Sequence, residues 1–370
     1  MGAEVTFSLK KEDLFACIQC GRCTGSCPEA GKTPFNVRMM VRKVLFDEWN
    51  EEDLLWFCSS CGACTVRCPR DVRPSEVVVG LRAAMVEAGR VPTSLYQALE
   101  NTLVQKNPWG RSKNKRDEWT APLDFQIPFI GDGDLHTLLF VCCVQAYDPR
   151  CQVIPRNFAK VLHTAGVPFG ILGRREVCCG NEIRRVGEWG LFRELREENS
   201  RNFKRYGVER IVALSPHCMN AFRKEYDGVV QDVLHYTQLL WELIREGAIE
   251  PKGEYPKRVV YHDPCFLGKQ NGVFDEPREI LRAIPALELL EFSRSRENSL
   301  CCEGGGGRMF IDVEAGERNG ERRVKEAEEL GAEVIATACP FCLLNLEDAA
   351  TVLDAAIEVK DITEILMEVL

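Results

Sequence analysis

Hydrophobic positions in the last two thirds of the chain alternate between short apolar runs and longer segments with helical periodicity. A first copy of this pattern predicts strand Thr137–Val144, helix Pro155–Ala165, strand Val167–Ile171, helix Gly187–Tyr206 and strand Arg210–Leu214. A second copy predicts strand Arg258–Asp263, helix Pro277–Ile284, strand Leu287–Phe292, helix Ala315–Leu330 and strand Glu333–Thr337. Because strands that alternate with helices form parallel βαβ units, we expect two α/β lobes side by side.

The first part of the chain has a different pattern. Apolar residues between Val37 and Leu45 recur at helical spacing, and a second helix is predicted over Ser75–Gly89. Residues 96–134 are richer in Asn, Pro, Trp and basic residues, which is typical of a linker that wraps over neighbouring surfaces. We therefore predict a mostly helical domain (1–95), a linker (96–134), a first lobe (135–252) and a second lobe (253–370).

Composition narrows the function classes. The 370 residues carry a formal net charge of −9, which argues against nucleic-acid binding through a basic surface. The longest apolar run, Thr137–Val144, is too short to span a bilayer, and no charged-then-apolar leader opens the chain. We expect the basic run Arg111–Arg116 to be a solvated face of the linker, with docking to an acidic partner as the alternative. The 19 cysteines then indicate reduced thiols and a cytoplasmic location.

Eight of these cysteines form two runs of the pattern CxxCxxCxxxCP. One tight loop supplies three ligands to a [4Fe-4S] cluster, and in two-cluster ferredoxins the distant Cys-Pro ligates the other cluster. This rule predicts crossed ligation, with Cys17, Cys20, Cys23 and Cys68 on one cluster and Cys58, Cys61, Cys64 and Cys27 on the second. The alternative is a pair of zinc sites with four cysteines each.

The second copy of the repeat holds five cysteines, one more than an ordinary cubane needs: Cys265, Cys301, Cys302, Cys339 and Cys342. The adjacent pair Cys301–Cys302 suits a turn that holds two metals. Gly304, Gly305, Gly306 and Gly307 follow it, and we expect them to let the backbone approach a cofactor closely. A structural zinc site is the alternative.

The first copy aligns with four of these cysteines and lacks one. Cys143, Cys178, Cys179 and Cys218 match members of the second set, but Ser215 stands where Cys339 would align. The Ser215 oxygen, Cys142 or Cys151 completes the site, or the metal differs. We predict a second iron–sulfur cluster or zinc in this lobe, with His217 as a candidate ligand if the metal is zinc.

The motifs CCEGGGGRMF, YHDPCFLG, TACPFC, CCGNEIRRVG and SPHCMN resemble the CCG (cysteine-rich) domains of the heterodisulfide reductase family. The N-terminal part resembles the small ferredoxin component of that family, so the whole chain is similar to the family's D subunit, which corresponds to the C and B subunits fused. The resemblance implies a helical ferredoxin-type domain with two cubane clusters, followed by two tandem α/β CCG lobes. It also implies a non-cubane [4Fe-4S] cluster in each complete lobe. Ser215 in place of the first cysteine of CPHC, and Glu303 in place of the glycine of CCG, depart from the family.

Several residues are candidates for a direct role in chemistry. The resemblance implies disulfide or thiol redox chemistry at Cys301 and Cys302. His262 precedes Asp263-Pro264-Cys265, and it either delivers a proton when a disulfide is cleaved or only hydrogen-bonds backbone. Lys269 either attracts an anionic substrate or is solvated.

Two functions from different classes fit these features. The first is a redox enzyme subunit that passes electrons to or from a disulfide–thiol couple such as the CoM-S-S-CoB heterodisulfide. The second is a pure electron-transfer subunit that links a flavoprotein to another enzyme or to a membrane quinone or cytochrome subunit. Because no GxGxxG follows a predicted strand, we expect a flavin-containing partner, either a protein similar to the A subunit of heterodisulfide reductase or an electron-transfer flavoprotein. A membrane cytochrome is a further candidate partner, which would place the chain at the inner face of a membrane.

Overall fold

The computed structural model describes residues 11–49, 53–311 and 318–370. The N-terminal part contains helices α1 (Arg22–Ser26), α2 (Val37–Leu45), α3 (Ala63–Val66), α4 (Pro74–Glu87) and α5 (Thr93–Gln105). The predicted α2 is confirmed: the Asn36 side chain accepts a hydrogen bond from the Met39 amide at its start, and its apolar face is buried. The predicted helix over Ser75–Gly89 is confirmed as α4, with Pro74 in its first turn. Helix α5 runs across the predicted boundary at residue 95.

The first lobe is built on a three-stranded parallel sheet in the order β1-β2-β3. Its elements are β1 (Thr137–Phe140), α6 (Cys143–Tyr147), α7 (Val153–Thr164), α8 (Asn181–Arg185), α9 (Trp189–Arg205), β2 (Arg210–Ala213), α10 (Pro216–Lys224), β3 (Asp232–His235) and α11 (Tyr236–Arg245). The two predicted helices and the strands at Thr137 and Arg210 are confirmed.

The second lobe is built on a four-stranded parallel sheet in the order β5-β4-β6-β7. Its elements are β4 (Arg258–His262), α12 (Glu276–Arg282), β5 (Glu288–Leu290), α13 (Asn319–Glu329), β6 (Val334–Thr337), α14 (Pro340–Val352), β7 (Glu358–Asp361) and α15 (Ile362–Met367). All five predicted elements are present, although the start of the helix predicted from Ala315 lies outside the described residues. The expectation of two parallel-sheet lobes is confirmed.

The predicted strand Val167–Ile171 is wrong. This segment makes only isolated bridges, Gly170 with Leu138 of β1 and Ile171 with Phe129 of the linker. A Cβ atom on Gly170 would lie 2.8 Å from the Ile130 Cα. The linker therefore occupies the space beside this segment and shares its hydrogen bonds, which leaves no regular edge strand. The sequence patterns do not predict strands β3 and β7, because each is only four residues long and at least half of those residues are polar or charged.

The two lobes share one hydrophobic core, into which the linker inserts. Trp119 of the linker is buried in that core. Trp109 packs edge-on against Phe310 and at a tilt against Phe341 of the second lobe. Within the described ranges, no helix has both the length and the apolar character needed to cross a membrane.

Candidate metal centres

The structure brings the first cysteine loop and the last cysteine of the second run around one cavity. Cys17, Cys20, Cys23 and Cys68 all line this cavity. Gly21 adopts a φ of 81° just before α1, which turns the chain between the second and third cysteines. Cys20 is exposed, so this cavity lies at the protein surface.

A second cavity holds the crossed set. Cys58, Cys61, Cys64 and Cys27 line it, and Gly62 has a φ of 77° at the start of α3. Cys58, Cys61 and Cys64 are buried, unlike the thiols of the first loop. Burial, followed by repulsion from the neighbouring thiols, raises the pKa of Cys64 well above its usual value. A bound metal would stabilise the deprotonated form of thiols that are crowded together in this way.

In the second lobe, five buried cysteines converge from three parts of the fold. Cys301 Sγ lies 3.8 Å from Cys265 Sγ, and Cys302 Sγ lies 3.3 Å from Cys342 Sγ. Cys339 contacts Cys342, and Pro340 and Phe341 lie between the two at the start of α14. The cysteines therefore stand at the carboxyl ends of β4 and β6 and in the turn between β5 and α13, the edge where parallel sheets place their sites.

His262 lies next to the same set of cysteines. One of its ring nitrogens lies within 4.8 Å of both the Cys302 and Cys342 sulfurs. The side chain is 1% exposed, and neither ring nitrogen has a hydrogen-bond partner among the described residues. Burial, with Arg323 next, lowers the pKa of His262 to about 3, so the ring is neutral. An unpartnered buried imidazole next to two thiols fits a site that is completed by a further group.

The second ferredoxin-type loop meets the second lobe directly. Cys61, Ala63, Cys265, Phe266 and Cys301 form one buried cluster. The Ser59 hydroxyl donates to Cys301 Sγ over 3.6 Å. Contact with the Cys301 thiol, followed by burial, raises the pKa of Cys61 well above its usual value. The second thiol set of the N-terminal part is thus adjacent to the five-cysteine set.

The first lobe gathers its thiols in the same way. Cys143 and Cys178 contact each other, and both are buried. Cys179 and Cys218 also contact each other, and Cys142 lies against Cys218. Burial, then contact with Cys142 and Cys179, raises the pKa of Cys218 well above its usual value. Cys151 is buried too, but its Sγ faces the Pro340 carbonyl oxygen at 3.9 Å.

Arg116 is a site residue that the sequence patterns missed. The interpretation of Arg111–Arg116 as a solvated face is wrong at this position, because Arg116 is 2% exposed. Its guanidinium donates to Cys143 Sγ over 3.3 Å and to the Val141 carbonyl over 2.9 Å, and it is paired with buried Glu176. A charge-assisted donor of this kind stabilises a thiolate. No local signal separates Arg116 from its exposed neighbours, since its partners are distant in sequence.

His217 lies between the lobes and not within the thiol set of its own lobe. Its ring packs against Phe266 and Phe341 of the second lobe. Its Nδ1 lies 2.6 Å from Glu182 Oε1, and the other carboxylate oxygen of Glu182 accepts from the Gly307 amide at 2.8 Å. Burial alone would lower the pKa of His217, but Glu182 and then Cys339 outweigh it, and the pKa lies well above its usual value. A pair from the first lobe therefore faces a thiol of the second.

The Gly304–Gly307 run packs against the N-terminal part. A Cβ atom on Gly306 would lie 2.7 Å from the Ser59 carbonyl carbon, and one on Gly305 would lie 3.1 Å from the Ser59 oxygen. The absence of side chains here thus permits close packing of the two cluster loops. That Gly304–Gly307 also let the backbone approach a cofactor closely stays a prediction. Lys269 donates to the Ser299 carbonyl over 2.7 Å, so a backbone group already holds the ammonium.

The donor sets fit iron–sulfur clusters. All 19 cysteines lie within the described residues, and none forms a disulfide. Thiolates are soft ligands, and groups of four or five of them select iron–sulfur clusters or zinc over harder cations. The five thiols of the second lobe exceed the four that a tetrahedral zinc ion takes, which favours iron–sulfur there.

Comparison with known proteins gives matches over most of the chain. A cysteine-rich domain (CCG) profile matches residues 137–223 and 259–347, and a 4Fe-4S dicluster domain profile matches residues 13–72. The chain is 32% identical to the probable iron–sulfur-binding oxidoreductase FadF of Bacillus subtilis (strain 168), over 96% of this chain and 60% of the relative. It is 30% identical to the EtfAB:quinone oxidoreductase of Syntrophomonas wolfei, over 96% of this chain and 58% of the relative. The chain thus spans about three fifths of the length of these two relatives.

A third relative matches nearly end to end. The chain is 29% identical to the D subunit of the dihydromethanophenazine:CoB–CoM heterodisulfide reductase of Methanosarcina barkeri (strain Fusaro), over 97% of this chain and 94% of the relative.

Proposed function

Because this chain belongs with the iron–sulfur proteins that resemble the D subunit of heterodisulfide reductase, with a 4Fe-4S dicluster domain and two cysteine-rich domains, we propose that it passes electrons between a flavoprotein partner and a disulfide–thiol couple. It is an oxidoreductase-type electron-transfer subunit. The disulfide substrate, such as a heterodisulfide of two small thiols, and the flavoprotein partner belong to the proposal.

The contact between the second cysteine loop and the second lobe carries this proposal. Cys61 packs with Cys265 and Cys301 in one buried cluster, so two thiol sets from different domains share a wall. When bound, iron–sulfur clusters supply one-electron transfer at potentials that their ligands, hydrogen bonds and burial tune. We propose two cubane clusters with crossed ligation and one non-cubane cluster on Cys265, Cys301, Cys302, Cys339 and Cys342. A further cluster in the first lobe includes Cys143, Cys178, Cys179 and Cys218.

We place the exchange of electrons with the partner at the first cavity. Cys20 is exposed there, Ile18 of the cavity lining is 63% exposed, and Phe15, earlier in the same segment, is 68% exposed. Exposed large apolar side chains at and near a surface cavity suit a protein partner. The buried cysteine set around Cys61 lies between this surface and the second lobe. A cluster held there would be the intermediate electron carrier.

We assign the chemistry at the other end of the electron-transfer path, reduction or oxidation of the disulfide–thiol couple, to the second lobe. Reduction of a disulfide takes two electrons and two protons and releases two thiols. We propose that Cys301, Cys302 and His262 take part in this step. The two cysteines would lie next to a sulfur atom of the disulfide substrate. The buried His262 ring, with both nitrogens unpartnered among the described residues, then orients the substrate by hydrogen bonding. Gly304–Gly307, which follow Glu303, are proposed to let the backbone approach the cluster closely.

One observation favours the alternative, a pure electron-transfer subunit. The five thiols of the second lobe are at most 5% exposed, so a disulfide substrate would need an opening that the described residues do not provide beside them. One relative is named an EtfAB:quinone oxidoreductase. Under this alternative the chain links a flavoprotein to another enzyme or to a membrane quinone or cytochrome subunit, at the cytoplasmic face of the membrane.

The test uses anaerobically purified protein. Iron, sulfide and zinc are counted first, and zinc in place of iron would refute both functions. Disulfide-dependent oxidation of a reduced viologen dye is then measured for the parent and for Cys302→Ser, with Cys151→Ser as a matched control at another buried cysteine. The proposal expects a rate that Cys302→Ser abolishes and Cys151→Ser keeps. Iron-loaded protein that reduces a quinone with a flavoprotein, but no disulfide, would establish the alternative.

A further inference from the structure

The two lobes carry a cysteine at the same level of the sheet but on different strands. In the second lobe, His262 of β4 pairs with Thr337 of β6, so that Pro264 and Cys339 are each two residues beyond the paired ends. In the first lobe, Phe140 of β1 pairs with Ala213 of β2. Two residues beyond this pair stand Cys142 and Ser215. The cysteine at this level has therefore moved from the second strand to the first.

The strand ends are held together where this exchange occurs. The Leu214 amide donates to the Phe140 carbonyl over 3.2 Å, which continues the parallel pairing past the strands. The Gln145 side chain, wholly buried, donates to the Leu214 carbonyl over 2.9 Å. Residues 142 and 215 are consequently side by side at the edge that carries the thiol set.

The contacts of Cys142 reproduce those of Cys339. In the second lobe, Cys339 contacts Cys342 and lies near Cys302. In the first lobe, Cys142 contacts Cys218 and lies near Cys179, which are the positions equivalent to Cys342 and Cys302. Cys142 is 5% exposed, so its thiol is enclosed with the others. The same pair of neighbours is thus reached from the adjacent strand.

Ser215 has a different role. Its side chain caps α10 by accepting a hydrogen bond from the His217 amide at 3.3 Å. Cys339, at the equivalent N-cap of α14, makes no side-chain capping hydrogen bond, and its thiol contacts that of Cys342. Serine at this position therefore completes the helix start and leaves ligation to another residue. Cys151 is a poor alternative, since its sulfur faces the Pro340 carbonyl.

We propose that Cys142 is the fifth thiolate of the first lobe and replaces the cysteine lost at Ser215. This assignment rests on the proposed iron–sulfur function and deepens it, because both lobes then present five thiolates. The first lobe holds its metal group through Cys142, Cys143, Cys178, Cys179 and Cys218. It is a complete site with a relocated ligand.

The test counts iron and sulfide per chain in anaerobically prepared full-length variants, with Mössbauer spectra of the same samples. Cys142→Ser should lose the iron of one cluster, about four atoms per chain, and the matching spectral component. Ser215→Ala and Cys151→Ser, which remove the rival ligands, should keep all the iron. The double variant Cys142→Ser/Ser215→Cys puts the cysteine back on the second strand and should recover the lost iron, which separates ligation from misfolding.

Two results would overturn the assignment: full iron and an unchanged spectrum in Cys142→Ser, or loss of iron from Ser215→Ala. The proposed function fails in a different way. If the parent carries zinc in the first lobe, the iron–sulfur cofactor is wrong, whereas loss of that zinc from Cys142→Ser alone would still identify Cys142 as a ligand. A parent with no metal in this lobe overturns both.

Discussion

At the scale of single residues, Glu303 stands in a backbone conformation that glycine normally occupies. Its φ is 76°, close to the 78° of Gly180, which follows the cysteine pair of the first lobe. A non-glycine residue in this left-handed region costs about 1–2 kcal/mol. The carboxylate offsets part of this cost, because it pairs with Lys32 and accepts from the Asn319 amide at 2.9 Å. Glu303 thereby joins the turn after Cys302 to the loop that carries Cys27.

We expect Glu303→Ala to be less stable than Glu303→Gly by about 1 kcal/mol. Both changes remove the carboxylate and its interactions with Lys32 and Asn319, but only glycine is free of strain at this φ. Thermal unfolding midpoints of anaerobic samples should therefore rank the alanine variant below the glycine variant. Equal midpoints would show that the local backbone relaxes at no cost. As a reference, Gly180→Ala should lower the unfolding midpoint further, since the added Cβ would lie 2.7 Å from the Phe192 ring.

At the scale of elements, each CxxCxxC loop feeds a short helix through a glycine of positive φ. Helix α1 follows Gly21 and α3 follows Gly62. The closing cysteines, Cys27 and Cys68, come just after these helices. The two helices pack together in such a way that each closing cysteine lines the cavity of the other loop. The crossing is thus a consequence of how α1 and α3 pack.

This arrangement predicts which spectra will match. Cys68→Ala should perturb the same cluster signal in electron paramagnetic resonance as Cys20→Ala, because both cysteines line the first cavity. Cys27→Ala should perturb the same signal as Cys61→Ala, because both line the second. Each pair serves as the internal control for the other. If Cys68→Ala instead matched Cys61→Ala, ligation within each run would be established and the crossed assignment lost.

At the scale of the whole molecule, one arginine ties the three domains together. Arg82 of α4 is wholly buried and donates to four backbone carbonyls. Two belong to its own domain, Leu55 at 2.8 Å and Cys58 at 2.6 Å. The others are Arg185 of the first lobe at 3.0 Å and Gly306 of the second lobe at 2.9 Å. The loop with Cys58 and Cys61 is thereby held against both lobes.

Arg82→Lys should loosen this junction while each domain keeps its fold. Lysine is a point charge without the planar fork of arginine, so it cannot satisfy four carbonyls in these directions. We expect faster amide hydrogen exchange at residues 55–62, 183–187 and 304–308, and slower electron transfer between the N-terminal clusters and the second lobe. Glu87→Gln, an exposed change near the end of the same helix, should leave both unchanged. Unaltered exchange in Arg82→Lys would contradict a role at the junction.

The sequence by itself determined the strand–helix alternation, the grouping of the cysteines and the two departures at Ser215 and Glu303. These features are local, since they depend on spacing along a few turns or strands. The same locality explains the failures. The segment Val167–Ile171 is apolar enough for a strand, but the linker beside it decides its pairing. Arg116 lies in a basic run that looks solvated, yet partners about 25 and 60 residues away bury it.

Only the tertiary structure decided which thiols meet across domain boundaries. The contact of Cys61 with Cys301, and of His217 with the second lobe, depends on how separate units pack, and no periodicity records that. Alignment alone leaves three candidates for the remaining ligand of the first lobe, namely Ser215, Cys142 and Cys151. Strand register favours Cys142, because parallel pairing of β1 with β2 puts Cys142 and Ser215 at one level, where the Cys142 thiol contacts Cys218. Spacing along the chain sets which ligands exist, and packing sets which of them share a site.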